Sequence, residues 1–265
     1  MPSPGACIAV LIAPFILLTG CSTVPRSFAP VQPLALQEFS HVAFDEVLRD
    51  HVEDGSVNYP AIAKDDRFDK YLWHLDRVDP NALPTYHHRL AFWMNAYNAF
   101  AVKGILDGYS PFTKFGQYRY FISRTYHVGG ATLNLYDLER KLLIPNFREP
   151  RIHFAIVCAS KSCPKLQSWT FEAENLDAQL EYSAKEFIND PTRNRFDRNR
   201  RIAYLSMIFN WFEKDFVAHS GSLLKYVKRY VADKALAKDL DIVPYKVEFL
   251  EYDWSLNGMP YAGPS

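Results

Sequence analysis

Cys158 and Cys163 stand five positions apart in the stretch HFAIVCASKSCPKL, which begins at His153. A thiolate is a strong nucleophile, an imidazole can take its proton, and a carboxylate can orient the imidazole. Glu139, upstream of His153, supplies a carboxylate. If residues 152–158 form an extended strand, His153 and Cys158 lie about 16 Å apart at about 3.3 Å per residue and cannot hydrogen-bond. Cys163, after a chain reversal through Ala159-Ser160-Lys161-Ser162, can return toward His153. The consistent catalytic arrangement is therefore Cys163 as nucleophile, with Cys158 the alternative, His153 as base and Glu139 as orienter. The same two cysteines, facing each other across a four-residue loop, can instead close a disulfide. Spacing alone does not separate a staple from a thiol site.

Other chemistries have weaker support. The four residues between Cys158 and Cys163 exceed the usual zinc knuckle, and no second Cys or His pair lies nearby. His87-His88 would point two ways on a helix. No HExxH, DxDxDG, GxxxxGK[ST], GxGxxG or GxSxG motif occurs, so neither a metal nor a cofactor is expected. Asn95 and Asn98, three apart in FWMNAYNAF, share one face of an otherwise apolar helix. Each either bonds a loop backbone or lines a pocket as a substrate-binding amide. Ser160, between the cysteines, is a third candidate for substrate binding. Five arginines within nine residues, Arg193, Arg195, Arg198, Arg200 and Arg201, could hold an acidic ligand or form a solvated hairpin face.

These side chains need elements to position them. Val42, Phe44, Val47 and Leu48 recur at helical spacing behind Ser40 as N-cap, and Asp54-Gly55 marks a turn. A second helix is predicted over 66–78, and a third, apolar nearly all round and hence buried, from His87 onward. Alternation around Gly129-Gly130 predicts a hairpin, and 136–143 a short helix stopped by Pro145. The apolar run Ile152–Cys158 reads as a central strand. Further helices are predicted over 171–188, 206–217 with Ser206 as cap, and 222–231. Strands are predicted at 201–205 and at the final KVEFLEYDWSLN. With no repeat and no second linker, one α+β domain is expected.

The chain has 265 residues, of which 48% are hydrophobic, enough for a sizeable core. Thirty basic residues balance thirty acidic ones, which argues against a nucleic-acid partner. The uncharged apolar run from Ala6 to Leu18 has the length of a signal-peptide core rather than of a membrane span. It ends in Leu18-Thr19-Gly20-Cys21, which looks like a bacterial lipobox, although the residues before it carry no Lys or Arg. Residues 1–20 thus read as a lipoprotein signal peptide, and 21–39 as the lipidated N-terminus and tether. Residues 40–258 form the domain and 259–265 a tail. Cys21 would tie the protein to a membrane in the cell envelope, where disulfides persist. Ser22 after it favours the periplasmic face of the outer membrane.

FWMNAYNAF, LYDLE, RIHFAIVCASKSCPKL, ENLDAQLEYSAKEFIN, SMIFNWFEKDF and EFLEYDWSLN, in that order, resemble the signature blocks of the domain of unknown function 547 (DUF547) family. The resemblance implies helices packed on a mainly antiparallel sheet, and a relation to transglutaminase and papain-like thiol hydrolases. In those enzymes Cys precedes His and Asp; here His153 and Glu139 precede both cysteines, so the order is permuted. Arg140 stands where bacterial relatives often show a histidine. Three roles follow as expectations. One is a thiol-dependent hydrolase or acyl-transferase on peptide or isopeptide bonds. The second is a non-catalytic envelope protein that binds a small thiol, peptide or glycan, with Cys158 and Cys163 in a disulfide. The third is a scaffold with an exposed apolar patch.

Overall fold

The helix Tyr86–Leu106 is the axis of the fold. Sixteen of its twenty-one residues are buried, so neighbours must cover it on every side. Thr85 caps it, the hydroxyl accepting from the His88 N–H at 3.2 Å. The computed structural model describes residues 32–261. The expected signal peptide, Cys21 and the first part of the tether therefore lie outside the described residues, as does the end of the tail.

Helices Val42–His51 and Asp66–Arg77 join the axial helix in one core, where Phe44 stacks on Tyr71 at 4.9 Å and Phe39 meets Phe92 at 5.5 Å. The hairpin Tyr126–Val128 with Ala131–Leu133 closes another side, Tyr126 stacking on Phe100 at 4.7 Å. A second core gathers Phe154, Phe187, Phe209, Phe216 and Tyr226. Its walls are helices Leu176–Asn189, Met207–Trp211, Glu213–Ser220 and Leu223–Val227, with a three-stranded sheet. In that sheet Ile202–Leu205 pairs antiparallel with Arg195–Asp197 and parallel with Lys246–Phe249. Antiparallel pairing predominates, and the class is α+β in a single domain. The sheets are small, so the helices cover one another rather than a broad β-surface.

The strand expected over Ile152–Cys158 is not formed. Pro150–Phe154 is a 3-10 helix, with Glu149 capping the Arg151 N–H at 3.0 Å and Pro150 at its first turn. Residues 155–157 follow as irregular buried chain, with Cys158 half-buried beyond them. An apolar run signals burial, and burial does not require a strand. Ser40 is not the cap of the first helix: His41 is, and its Nδ1 meets the Tyr71 hydroxyl at 2.7 Å. The helix expected from Phe171 begins at Leu176. The helix expected over 206–217 breaks at Phe212, although Ser206 does cap its first part, accepting from the Ile208 N–H at 3.3 Å.

Asn95 and Asn98 are not in a position to bind substrate. Both are buried, and each amide clamps a loop backbone with both ends. Asn95 donates to the Phe171 carbonyl at 2.8 Å and accepts from the Phe171 N–H at 2.9 Å. Asn98 donates to the Ala155 carbonyl at 3.0 Å and accepts from the Val157 N–H at 2.9 Å. Irregular buried chain has no ladder to satisfy it, and these amides supply the missing partners. Asn98→Ala strands one carbonyl and one N–H, so it is expected to cost about 2–4 kcal/mol in urea unfolding. A loss below about 0.5 kcal/mol, the level of a neutral surface change, would contradict this account.

Candidate functional site

Cys158 and Cys163 are joined in a disulfide, their Cα atoms 6.1 Å apart. The expected chain reversal occurs, but it closes a bond between the cysteines and leaves neither as a free thiol. The turn runs through Ala159 at φ +59°, a left-handed conformation that costs a non-glycine residue about 1–2 kcal/mol. Its surroundings hold it there. Arg193 donates to the Cys163 carbonyl at 2.8 Å and to the Lys161 carbonyl at 3.0 Å, and pairs with Asp190. From the other side a strap over 250–259 lies along the loop. Its bonds are Lys161 N–H to Ser255 O (2.8 Å), Ser162 N–H to Asp253 O (3.2 Å) and Asn257 N–H to Ala159 O (3.2 Å). The strap is itself tied to Val57 by two backbone bonds, and a Cβ at Gly258 would collide with the Val57 carbonyl.

Above the disulfide, at the seam of the two cores, lies a cavity of about 490 Å³. Glu139, Arg140, His153, Cys158 and Cys163 all line it. Much of its wall is aromatic: Trp211, Tyr252 and Trp254 form a cluster with ring centres 4.6–5.7 Å apart. Two segments wound with i→i+5 hydrogen bonds supply further lining. Leu138–Leu143 carries Glu139 and Arg140, and Arg119–Ser123 carries Phe121 and Ile122. Such windings shift side chains off the α-helical register and recur at functional sites. The break at Phe212 likewise puts that ring on the cavity.

The charged groups are tuned by burial. Glu139 has its acid pushed up to about 7 by desolvation, offset in part by Arg140 and by the Tyr97 hydroxyl, which donates to Oε2 at 3.4 Å. The Arg140 guanidinium lies 4.0 Å over the Phe212 ring. Burial also holds the His153 imidazole below its ordinary value, although Asp215 pulls the other way. His153 Nε2 is 2.9 Å from Asp215 Oδ2. A carboxylate only accepts, so Nε2 carries the proton, and Nδ1 has no protein partner. The ring packs 3.8 Å from Phe212 and separates the first cavity from a second of about 520 Å³ on which Asp215 opens.

Glu139 thus shares the cavity with His153 but does not orient it; Asp215, sixty-two residues on, holds the ring. The orienter expected at Glu139 is displaced because His153 sits on a 3-10 helix facing Glu213–Ser220. Ser160 is buried, outside the lining of the main cavity, and its hydroxyl donates to the Tyr252 hydroxyl at 3.2 Å. Its expected role in substrate binding gives way to one beneath the floor. The arginine run is dispersed, although Arg195 and Arg198 line one surface cavity. Arg193 pins the cysteine loop, Arg198 pairs with Asp239 at 2.5 Å, and Arg195 lies over Tyr204. Asp215 and the cavity's aromatic rings escaped sequence reasoning. Asp215 and Tyr252 do fall in two of the resembling blocks, and that was the available signal.

Because the folded protein prefers the Glu139 acid, that stability is full below the unfolded glutamate's 4.5 and is lost as pH rises through about 7. Glu139→Gln is therefore expected to stabilise the protein by about 3 kcal/mol at pH 8.5 and to change it little at pH 4.5. Urea curves at both pH values check this, and a difference independent of pH would place the carboxyl in solvent.

The model of the family described as "Protein of unknown function, DUF547" matches residues 81–188. No curated protein and no solved structure matches the chain. The matched stretch holds the axial helix, Glu139, His153 and both cysteines, whereas Asp215 and the Tyr252 strap lie beyond it. The match covers 108 of the 265 residues and is a similarity to a domain whose function is unknown.

Proposed function

We propose that the protein is a bacterial cell-envelope lipoprotein that binds a small ligand, a thiol, peptide or glycan, in the cavity above a closed Cys158–Cys163 disulfide. The cavity itself carries the reading. About 490 Å³ accommodates a ligand of this class. The Trp211, Tyr252 and Trp254 rings offer stacking faces, and Arg140 and Lys114 offer charge to an anionic group. The anchor rests on Leu18-Thr19-Gly20-Cys21. Trp211 and Trp254 make binding visible by intrinsic fluorescence. Titration with a cysteine tripeptide, a cell-wall peptide and a chito-oligosaccharide should give saturable quenching with one class, weakened at least about tenfold in Trp254→Ala. No saturation at millimolar concentration with any of them would overturn the reading. Palmitate labelling in a bacterial host should disappear in Cys21→Ala; labelling that persists would remove the anchor.

A second reading, the thiol-dependent hydrolase or acyl-transferase, has one specific observation behind it. His153, held by Asp215 and with Nδ1 unpartnered, lines the same cavity as Cys158. It needs the disulfide opened. Alkylation of the reduced protein should then show one fast thiol, slowed in His153→Ala. Two thiols that both alkylate at the rate of free cysteine would exclude it.

A further inference from the structure

The two sulfurs of the disulfide are in unlike surroundings. Cys158 is half-buried at the cavity surface, whereas Cys163 is 3% exposed. The Cys163 sulfur accepts from the Cys158 N–H at 2.9 Å, the Tyr252 hydroxyl lies 3.2 Å from both sulfurs, and Ser160 Oγ lies 3.2 Å from the Cys158 sulfur. Tyr252 accepts from Ser160 Oγ at 3.2 Å, so its own proton is free to turn to whichever sulfur becomes a thiolate. Arg193, ion-paired with Asp190, holds the Cys163 carbonyl at 2.8 Å. Hydrogen bonds stabilise a thiolate more than a thiol or a disulfide sulfur. The backbone donor at the disulfide therefore serves the sulfur that a ligand reaches less easily, with the Tyr252 hydroxyl also in reach of it. That is the arrangement a leaving group requires.

We propose that Cys158–Cys163 is a reactive disulfide that exchanges with a low-molecular-weight thiol bound in the cavity, Cys158 being attacked and Cys163 leaving. The proposal rests on the reading of the cavity as a small-ligand site and names that ligand as a thiol. The incoming thiol gives its proton to solvent, and its sulfur bonds to Cys158 Sγ. The Cys158–Cys163 bond breaks, and its electron pair goes to Cys163 Sγ as thiolate, where the Cys158 N–H and the Tyr252 O–H receive it. A second thiolate then attacks the ligand sulfur of the mixed disulfide and releases Cys158 as thiolate. Two ligand thiols are oxidised to their disulfide, and the protein disulfide is reduced to two thiols. The leaving sulfur's stabilisation speeds the first step.

The test uses the full chain, purified without reductant and mixed with glutathione. Samples are quenched with acid, alkylated and read by peptide mass spectrometry. The expected product is a glutathione adduct on Cys158 and not on Cys163, formed faster than on an exposed cystine peptide in the same tube. Tyr252→Phe, which loses the donor to Cys163, should slow formation about tenfold at saturating glutathione. Ser160→Ala, which removes a hydroxyl at the Cys158 sulfur and leaves both donors to Cys163 in place, should slow it less. An adduct on Cys163, or formation no faster than on the cystine peptide, would overturn the proposal and leave a structural staple. Fluorescence titration with S-methylglutathione, which cannot exchange, separates the two failures. Saturable quenching without an adduct removes the exchange alone, and absence of both removes the thiol ligand with it.

Discussion

Buried backbone without a ladder sets the main constraint on this structure. The segment 155–163 runs largely through the interior as irregular chain, and many of its N–H and C=O groups take partners from distant parts of the chain. Asn98 reaches it from fifty-seven residues away, Arg193 from thirty, and the strap around Asp253 from ninety-one. None of these contacts is local, so the segment takes its shape only when both cores are assembled. Once assembled, the chain has little freedom left. The disulfide, Ser160 and Tyr252 are set within about a hydrogen bond's length of one another by groups that have no chemistry of their own.

The seam between the cores governs the electrostatics in turn. Water excluded from the seam raises the Glu139 acid to about 7 and lowers the His153 imidazole, so burial works against the charged form of each. Asp215 opposes this at His153 and Arg140 opposes it at Glu139, and in each case desolvation is the larger effect. An ion pair gains least where its partner is partly solvated, and the Asp215 side chain is 33% exposed. The cavity therefore sets a glutamate and a histidine, whose charged forms burial disfavours, beside Lys114 and an arginine that lies over the Phe212 ring.

Much of this was legible in the sequence, for identifiable reasons. Helices Asp66–Arg77 and Tyr86–Leu106, the Gly129-Gly130 hairpin and the Ser206 and Ser222 caps follow from periodicity and turn chemistry, which are local. The run Ile152–Cys158 was misread because β-branched apolar residues mark burial in any conformation; the Glu149-Pro150 pair, a cap before a helix-starting proline, held the correction. Glu139, His153 and the two cysteines could be picked out by type and spacing, and they do line one cavity. Their pairing could not be read. Nothing in the spacing distinguishes a closed from an open cysteine pair, and the partner of His153 lies sixty-two residues downstream on a helix whose orientation depends on packing.

The disulfide is a poor candidate for the element that holds its own loop together. A cross-link between cysteines five positions apart restrains little of the unfolded chain, about 2 kcal/mol on the loop-entropy account. The bonds from Asn98 and Arg193 and the three backbone bonds of the strap are together worth more, at about 1 kcal/mol for each neutral bond and more for the charged ones. The loop would therefore keep its course with the sulfur–sulfur bond open. A cross-link that the backbone can do without, set in the floor of a cavity with a backbone donor on its more buried sulfur, has the freedom to break and re-form that a staple lacks.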